Sequence, residues 1–194
     1  NPRLFSLDVQ QLQAALAQAK NRGVGSGILI SLPDADGKLA QYKVFLNSNM
    51  DPALEARYPE IKSYIGLGVT DRSATAYFSL SPLGMESMVL AAGQSATFIE
   101  PYTTDRSIYA VYRKADELAS LNPFECGVID KVKKGTASPS TLRPNADDAT
   151  LRTFRLAMSV TGEYTAYFGG TKALALAAIN NTMTRVNGIF EKDF

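Results

Sequence analysis

The sequence predicts a mainly β (α+β) fold of about seven antiparallel strands, with one helix before them and a linker and a strand–helix unit after them. Three observations support this fold class. Short runs rich in β-branched and aromatic residues recur roughly every ten residues between residues 27 and 113. Turn-forming residues separate these runs. Apolar residues at helical spacing lie in front of this region and again near the end of the chain.

Composition limits the classes of function. The chain has 194 residues, of which 45% are hydrophobic and 20% charged, as in a globular protein with a buried core. Lysine and arginine total 20 against 19 acidic residues. This balance gives no electrostatic reason to expect a nucleic-acid or anionic membrane partner. No run approaches the roughly 18 apolar residues of a membrane span. The sequence opens without an apolar leader, so we expect any signal peptide to have been removed or to lie outside it.

The first predicted element is a helix over residues 7–20. Leucines and alanines recur there at spacings near 3.6, Ser6 or Asp8 can cap the start, and Gly23 stops it. We expect this helix to pack on a sheet.

The predicted strands follow the first helix. A turn sequence at Asp34–Gly37 joins the first two into a hairpin, and Asp51–Glu55 is typical of a capped helical turn. Polar and apolar residues alternate along Thr75–Leu80, which indicates one face on the core and the other nearer to water. The predicted strands are 28–32, 42–46, 62–69, 74–80, 85–90, 96–99 and 107–112.

A polar linker is predicted at residues 131–152. This stretch is poor in apolar residues and rich in Gly, Pro, Ser and Thr. Proteolysis concentrates in such exposed segments, so its basic residues are candidate cleavage sites, although a passive linker is an alternative. Those basic residues are Lys133, Lys134, Arg143 and Arg152.

An α/β pattern follows the linker. Residues 153–160 alternate like a strand, and Thr171 is a candidate N-cap for a helix. In this helix an apolar stripe includes Ile179, Val186 and Phe190, and we expect the helix to pack on a sheet.

The single cysteine, Cys126, is the candidate site. It lies in the loop Asn122–Val128, and the chain contains no histidine. An internal disulfide has no second thiol, and a cysteine nucleophile lacks the imidazole base that it needs. Three readings stay open: a buried structural cysteine, a free surface thiol, or a thiol whose partner lies outside this chain.

The loop has a family resemblance. Pro123, Cys126, Gly127 and Val128 at this spacing resemble the cysteine switch of zinc-metalloprotease prodomains, as in matrixins and adamalysins. The resemblance implies that the Cys126 thiolate occupies the fourth position of a catalytic zinc. Zinc accepts thiolate sulfur readily, and the glycine permits close approach of the backbone.

A second resemblance covers the end of the chain, which is similar to the opening of the catalytic domain of secreted bacterial reprolysin-like zinc metalloproteases. Residues 58–68 and 81–84 resemble their propeptides. Together these imply a β-rich prodomain at 1–130, an activation linker at 131–152, and the first strand and helix of an α/β metzincin domain at 153–194. The similar residues are Phe154–Ala157, Thr161–Tyr164, Gly169–Thr171 and the stretch from Asn180 to Asp193.

The function implied is that of a secreted precursor whose prodomain holds its own catalytic domain latent. Cys126 would be the inhibitory zinc ligand, and cleavage in 131–152 would release the protease. The family's H-E-x-x-H zinc motif has no counterpart because the chain lacks histidine. Glu163 and Glu191 do not replace its general base. The chain is therefore expected not to be catalytic itself.

Two further expectations concern an alternative function and the oligomeric state. A non-catalytic β-sandwich binding or adhesion module is the alternative function, in which Cys126 is structural, slow to react with thiol reagents and indifferent to zinc. An exposed opening strand at 153–160 would also permit a homodimer through residues 153–194.

Overall fold

The computed structural model describes residues 2–116 and 155–193. In these ranges it has eight strands, four α-helices and a short 3-10 helix at Lys114–Asp116. The Cys126 loop and the 131–152 linker lie outside the described residues. The elements are β1 (Arg3–Ser6), α1 (Val9–Leu16), β2 (Ile28–Pro33), β3 (Leu39–Leu46), α2 (Pro52–Arg57), β4 (Lys62–Gly68), β5 (Thr75–Ser81), β6 (Gly84–Leu90), β7 (Thr97–Pro101), β8 (Ile108–Arg113), α3 (Gly162–Tyr167) and α4 (Lys172–Asp193).

The strands form one antiparallel sheet in the order β1-β8-β7-β6-β5-β4-β3-β2. From β2 to β8 each strand pairs with the next along the chain, which confirms the mainly β fold with helices. The described strands form one sheet and not two stacked sheets, so the sandwich geometry of the alternative is not found there. β1 was not predicted, because its four residues carry little strand signal. Its pairing with β8, where Arg3 lies opposite Val111, decides its structure.

Capping residues that are visible in the sequence mark the starts of α1 and α2. Asp8 caps α1 by accepting a hydrogen bond from the Gln11 backbone N–H, and Asp51 caps α2 in the same manner at Ala53. The helix α1 ends at Leu16 instead of residue 20. The chain leaves the helix there, and the Lys20 carbonyl accepts a hydrogen bond from the backbone N–H of Leu46 on β3, 3.0 Å away.

One face of the sheet packs against α1 in the larger apolar core. Leu16 of α1 belongs to this cluster together with Tyr64 on β4 and Phe78 on β5. The rings of Tyr64 and Phe78 stack with their centroids 5.1 Å apart. This confirms that the N-terminal helix packs on the sheet.

The alternation along β5 had predicted that the opposite face lies nearer to water, and this prediction is wrong. Tyr77 and Ser79 are 4% and 2% exposed. The helix α4 lies across β5 on this side, and the sheet and residues 160–194 form one compact unit. Alternation of polar and apolar residues identifies two faces but does not reveal which of them a distant helix covers.

The predicted strand at 153–160 is not found in its described part. Residues 155–160 have no regular secondary structure, because a strand needs a neighbour to supply ladder hydrogen bonds. The Thr161 side chain instead caps α3 by accepting a hydrogen bond from the Tyr164 backbone N–H at 3.3 Å. The homodimer expected from an exposed strand stays a prediction.

Candidate functional site: the contact between α4 and the sheet

The helix α4 meets the sheet through one side that carries small and polar residues. Thr171 caps the helix, as predicted, by accepting a hydrogen bond from the Leu174 backbone N–H at 3.2 Å. Asn181, Thr184 and Gly188 recur at spacings of three and four, which places them on one side of the helix. We call these three residues and Arg185 the polar seam of α4.

Arg185 sits between two carboxylates of the sheet. Its Nη2 donates to Glu86 Oε2 at 3.2 Å and to Glu100 Oε1 at 2.6 Å. The guanidinium also lies 5.1 Å from the centroid of the Phe98 ring, within range of a cation–π contact. The three charged side chains are 22–30% exposed, so the ion pairs are only partly screened by solvent.

Further hydrogen bonds anchor the same two carboxylates. The Asn181 side-chain amide donates to Glu86 and accepts from the Ser79 hydroxyl on β5. The Tyr112 hydroxyl donates to Glu100 at 2.8 Å. Burial raises the pKa of Glu86 above its ordinary value, against the lowering effect of Arg185. Glu86 is therefore a desolvated carboxylate that depends on its partners from α4.

A second polar group lies nearby on the loop after β3. Asn49 Nδ2 donates to Thr184 Oγ1 at 2.7 Å and to Asn180 Oδ1 at 3.4 Å, and Asn187 donates back to Asn49 at 2.9 Å. Asn180 and Thr184 are 3% and 2% exposed. Because buried polar groups need partners, Asn49 ties the helix to a fixed position on this loop.

The last turn of α4 forms a more exposed contact. Glu191 pairs with Arg22 at 2.7 Å, beside an open cavity of about 210 Å³ that Tyr77 and Leu90 help to line. Burial raises the pKa of Tyr77 to about 12, and the nearby Glu191 carboxylate adds to this effect. The cavity is lined by both charge signs and shows no cluster of groups suited to a catalytic reaction.

The structure does not test the site residues that the sequence predicted. Pro123, Cys126, Gly127 and Val128, and the basic residues Lys133, Lys134, Arg143 and Arg152, lie outside the described ranges. The structure therefore does not test whether these residues form one site. Their assignments stay predictions.

Sequence reasoning missed the polar part of this contact. The predicted apolar stripe of α4 includes Val186 and Phe190, which are 36% and 57% exposed and do not form the side that meets the sheet. That α4 packs on a sheet is confirmed, and Ala175 and Ala178 of the predicted stripe are buried, whereas its last members, Val186 and Phe190, are exposed. The available signal was Gly188, a residue that disfavours the middle of a helix, in line with polar residues one and two turns before it.

The described residues do not fit a catalytic zinc site. Residues 2–116 and 155–193 contain no group of three His, Cys, Asp or Glu side chains that could hold a metal. The carboxylates of Glu86 and Glu100 both form ion pairs with Arg185. No helix in these ranges is both long enough and apolar enough to span a bilayer.

Comparison with known proteins gives a family match at the end of the chain. Residues 150–194 match the family described as Metallo-peptidase family M12B Reprolysin-like, whose members are zinc-dependent. The C-terminal end of the chain is thus similar to reprolysin-like metallopeptidases, and α3 and α4 lie within the matched stretch. No curated protein and no solved structure is significantly similar to the chain.

Proposed function

We propose that this chain is the N-terminal part of a secreted zinc metalloprotease precursor. Residues 1–130 are the prodomain, residues 131–152 the activation linker, and residues 153–194 the start of the catalytic domain. The catalytic domain is the partner that the prodomain keeps latent.

One observation carries this proposal. The stretch that matches the metallopeptidase family contains α4, and α4 is seated on the sheet built by residues 3–113. The β-rich N-terminal domain is therefore in direct contact with the segment that is similar to a protease. Such a contact is what an inhibitory prodomain requires.

Cys126 supplies the inhibitory ligand in this proposal. A catalytic zinc keeps one position open for water, and a thiolate in that position excludes the water. The metal's histidine ligands must come from outside this sequence, which has none. Pro123, Gly127 and Val128 form the loop that carries the thiol, and an ordinary cysteine pKa of about 8.5 means that the metal must favour the thiolate.

Activation of the protease is assigned to cleavage of the linker. Cleavage at one or more of Lys133, Lys134, Arg143 and Arg152 separates the prodomain from the protease. The supporting feature is the composition of 131–152, which is polar and basic and contains Pro, Ser and Thr.

The test is a substitution in the complete precursor. Cys126→Ala should give proteolytic activity before any cleavage, while Thr136→Ala in the linker should stay as latent as the native precursor. Reactivity of the native Cys126 thiol should also rise when a chelator removes zinc. A Cys126→Ala precursor that stays fully latent would overturn the switch.

A further inference from the structure

The two faces of the sheet bind their helices in different ways. Toward α1 the helix contributes Leu16 to a large apolar cluster. Toward α4 the sheet offers a smaller cluster that includes Tyr77 and Met88, while the helix contributes the polar seam. Permanent interfaces resemble an apolar core, and separable interfaces are more polar.

The apolar residues of α4 support the same distinction. A helix whose permanent partner is a sheet normally turns its apolar stripe toward that sheet. In α4, Val186 and Ile189 are 36% and 43% exposed, whereas Thr184 and Gly188 are buried. The apolar side chains that α4 buries are those of alanines (Ala175, Ala177 and Ala178), and its larger apolar side chains are half-buried or exposed.

We infer that the sheet face around Glu86 and Glu100 is a reversible docking surface for α4, with Arg185 as its main determinant of affinity. The inference rests on the proposed function, because it assigns α4 to the protease and the sheet to the prodomain. After the linker is cut, the N-terminal domain stays bound to α4 and leaves in a separate, later step.

Arg185 is the residue on which this binding most depends. Its removal leaves two partly buried carboxylates without their cationic partner, one of them a carboxylate whose pKa burial already raises. Removing one partner of a desolvated pair acts mainly on the dissociation rate. The Arg22–Glu191 pair is the natural comparison, since its side chains are 53% and 36% exposed and solvent screens them more.

The experiment uses the 194-residue chain with the recognition sequence of a site-specific protease placed inside residues 131–152. After complete cutting, size-exclusion chromatography and a fluorescence pair on the two pieces report whether they remain together. We expect co-elution at about 0.1 M salt and faster separation at about 1 M salt, where the Debye length falls to about 3 Å.

Variants test whether Arg185 is the main determinant of affinity between α4 and the sheet. Arg185→Ala should raise the dissociation rate about tenfold or more, and Arg185→Lys should recover part of the loss because it keeps the charge but not the planar guanidinium beside the Phe98 ring. Arg22→Ala should change the rate by less than about threefold. Circular dichroism of the uncut variants checks that the sheet is intact, and Glu100→Gln offers a second route to the same contact from the sheet side.

Two results would overturn the inference: pieces that separate at once at low salt, or a dissociation rate that Arg185→Ala and Glu100→Gln both leave unchanged. Neither readout needs zinc or any proteolytic activity of this protein. A failure here therefore leaves the Cys126 switch standing, and a failure of the Cys126→Ala test leaves this binding result standing.

Discussion

Gly188 of α4 lies directly against the ring of Tyr77 on β5. A Cβ atom on Gly188 would come within 2.6 Å of Tyr77 Cγ and 2.7 Å of Cδ2. These are atoms of a ring that is itself buried and cannot swing aside. Glycine in a helix interior costs about 1 kcal/mol relative to alanine. The helix accepts this cost because the missing side chain lets it approach the sheet.

Gly188→Ala is therefore expected to weaken the docking of α4 although it favours the helix. Overpacking of a close contact costs about 1–3 kcal/mol, which exceeds the gain in helix propensity. Hydrogen exchange of the α4 amides and urea unfolding of the whole chain would measure the loss. Gly162→Ala is the matched control, since a Cβ there meets nothing within 4 Å. An α4 that is equally or better protected in Gly188→Ala would contradict this packing.

Asn49→Ala should destabilise the same contact from the loop side. Thr184 and Asn180 are buried and would lose the amide that donates to them, at a cost of about 1–3 kcal/mol. The midpoint of urea unfolding reports this change if the slope is unaltered. Asn49→Asp keeps an acceptor for Asn187 but removes the donor to Thr184, so its midpoint should also fall. An unchanged midpoint in both variants would show that these bonds contribute nothing.

Alkaline pH should unfold the protein through its buried tyrosines. Burial raises the pKa of Tyr64 and of Tyr77 to about 12, from an ordinary value near 10. A raised pKa favours the neutral phenol in the folded state. Its contribution to the free energy of unfolding is complete below pH 10 and is lost as the pH rises from about 10 to about 12.

Phenolate absorbance during an alkaline titration tests this expectation. The phenols of Tyr64 and Tyr77 should be among those that ionise late, together with loss of the circular dichroism of the sheet. Tyr64→Phe should remove one late-ionising group, because its ring stacks on Phe78 and the hydroxyl is not needed for that contact. Full ionisation of both tyrosines near pH 10 with the sheet intact would contradict the burial.

The sequence predicted the family resemblance at the end of the chain but not the contact between α4 and the sheet. The resemblance of residues 154–193 to reprolysin-like proteases rests on local order along the chain, and a family match over 150–194 supports it. The contact of Arg185 with Glu86 and Glu100 joins positions 85 to 99 residues apart. No local pattern records which acid will lie opposite a basic residue at that separation.

Local sequence patterns predicted the mainly β class, the strands from β2 to β8 and the caps at Asp51 and Thr171, and they offered Asp8 and Ser6 as alternative caps of α1. These depend on neighbouring residues, whose period, turns and side-chain hydrogen bonds act within a few positions. Long-range contacts account for three features that these patterns missed: Arg3–Ser6 is a strand, the second face of β5 is covered, and α4 turns its polar seam to the sheet. Each of these depends on a partner distant in the chain, because pairing and burial are properties of the assembled fold.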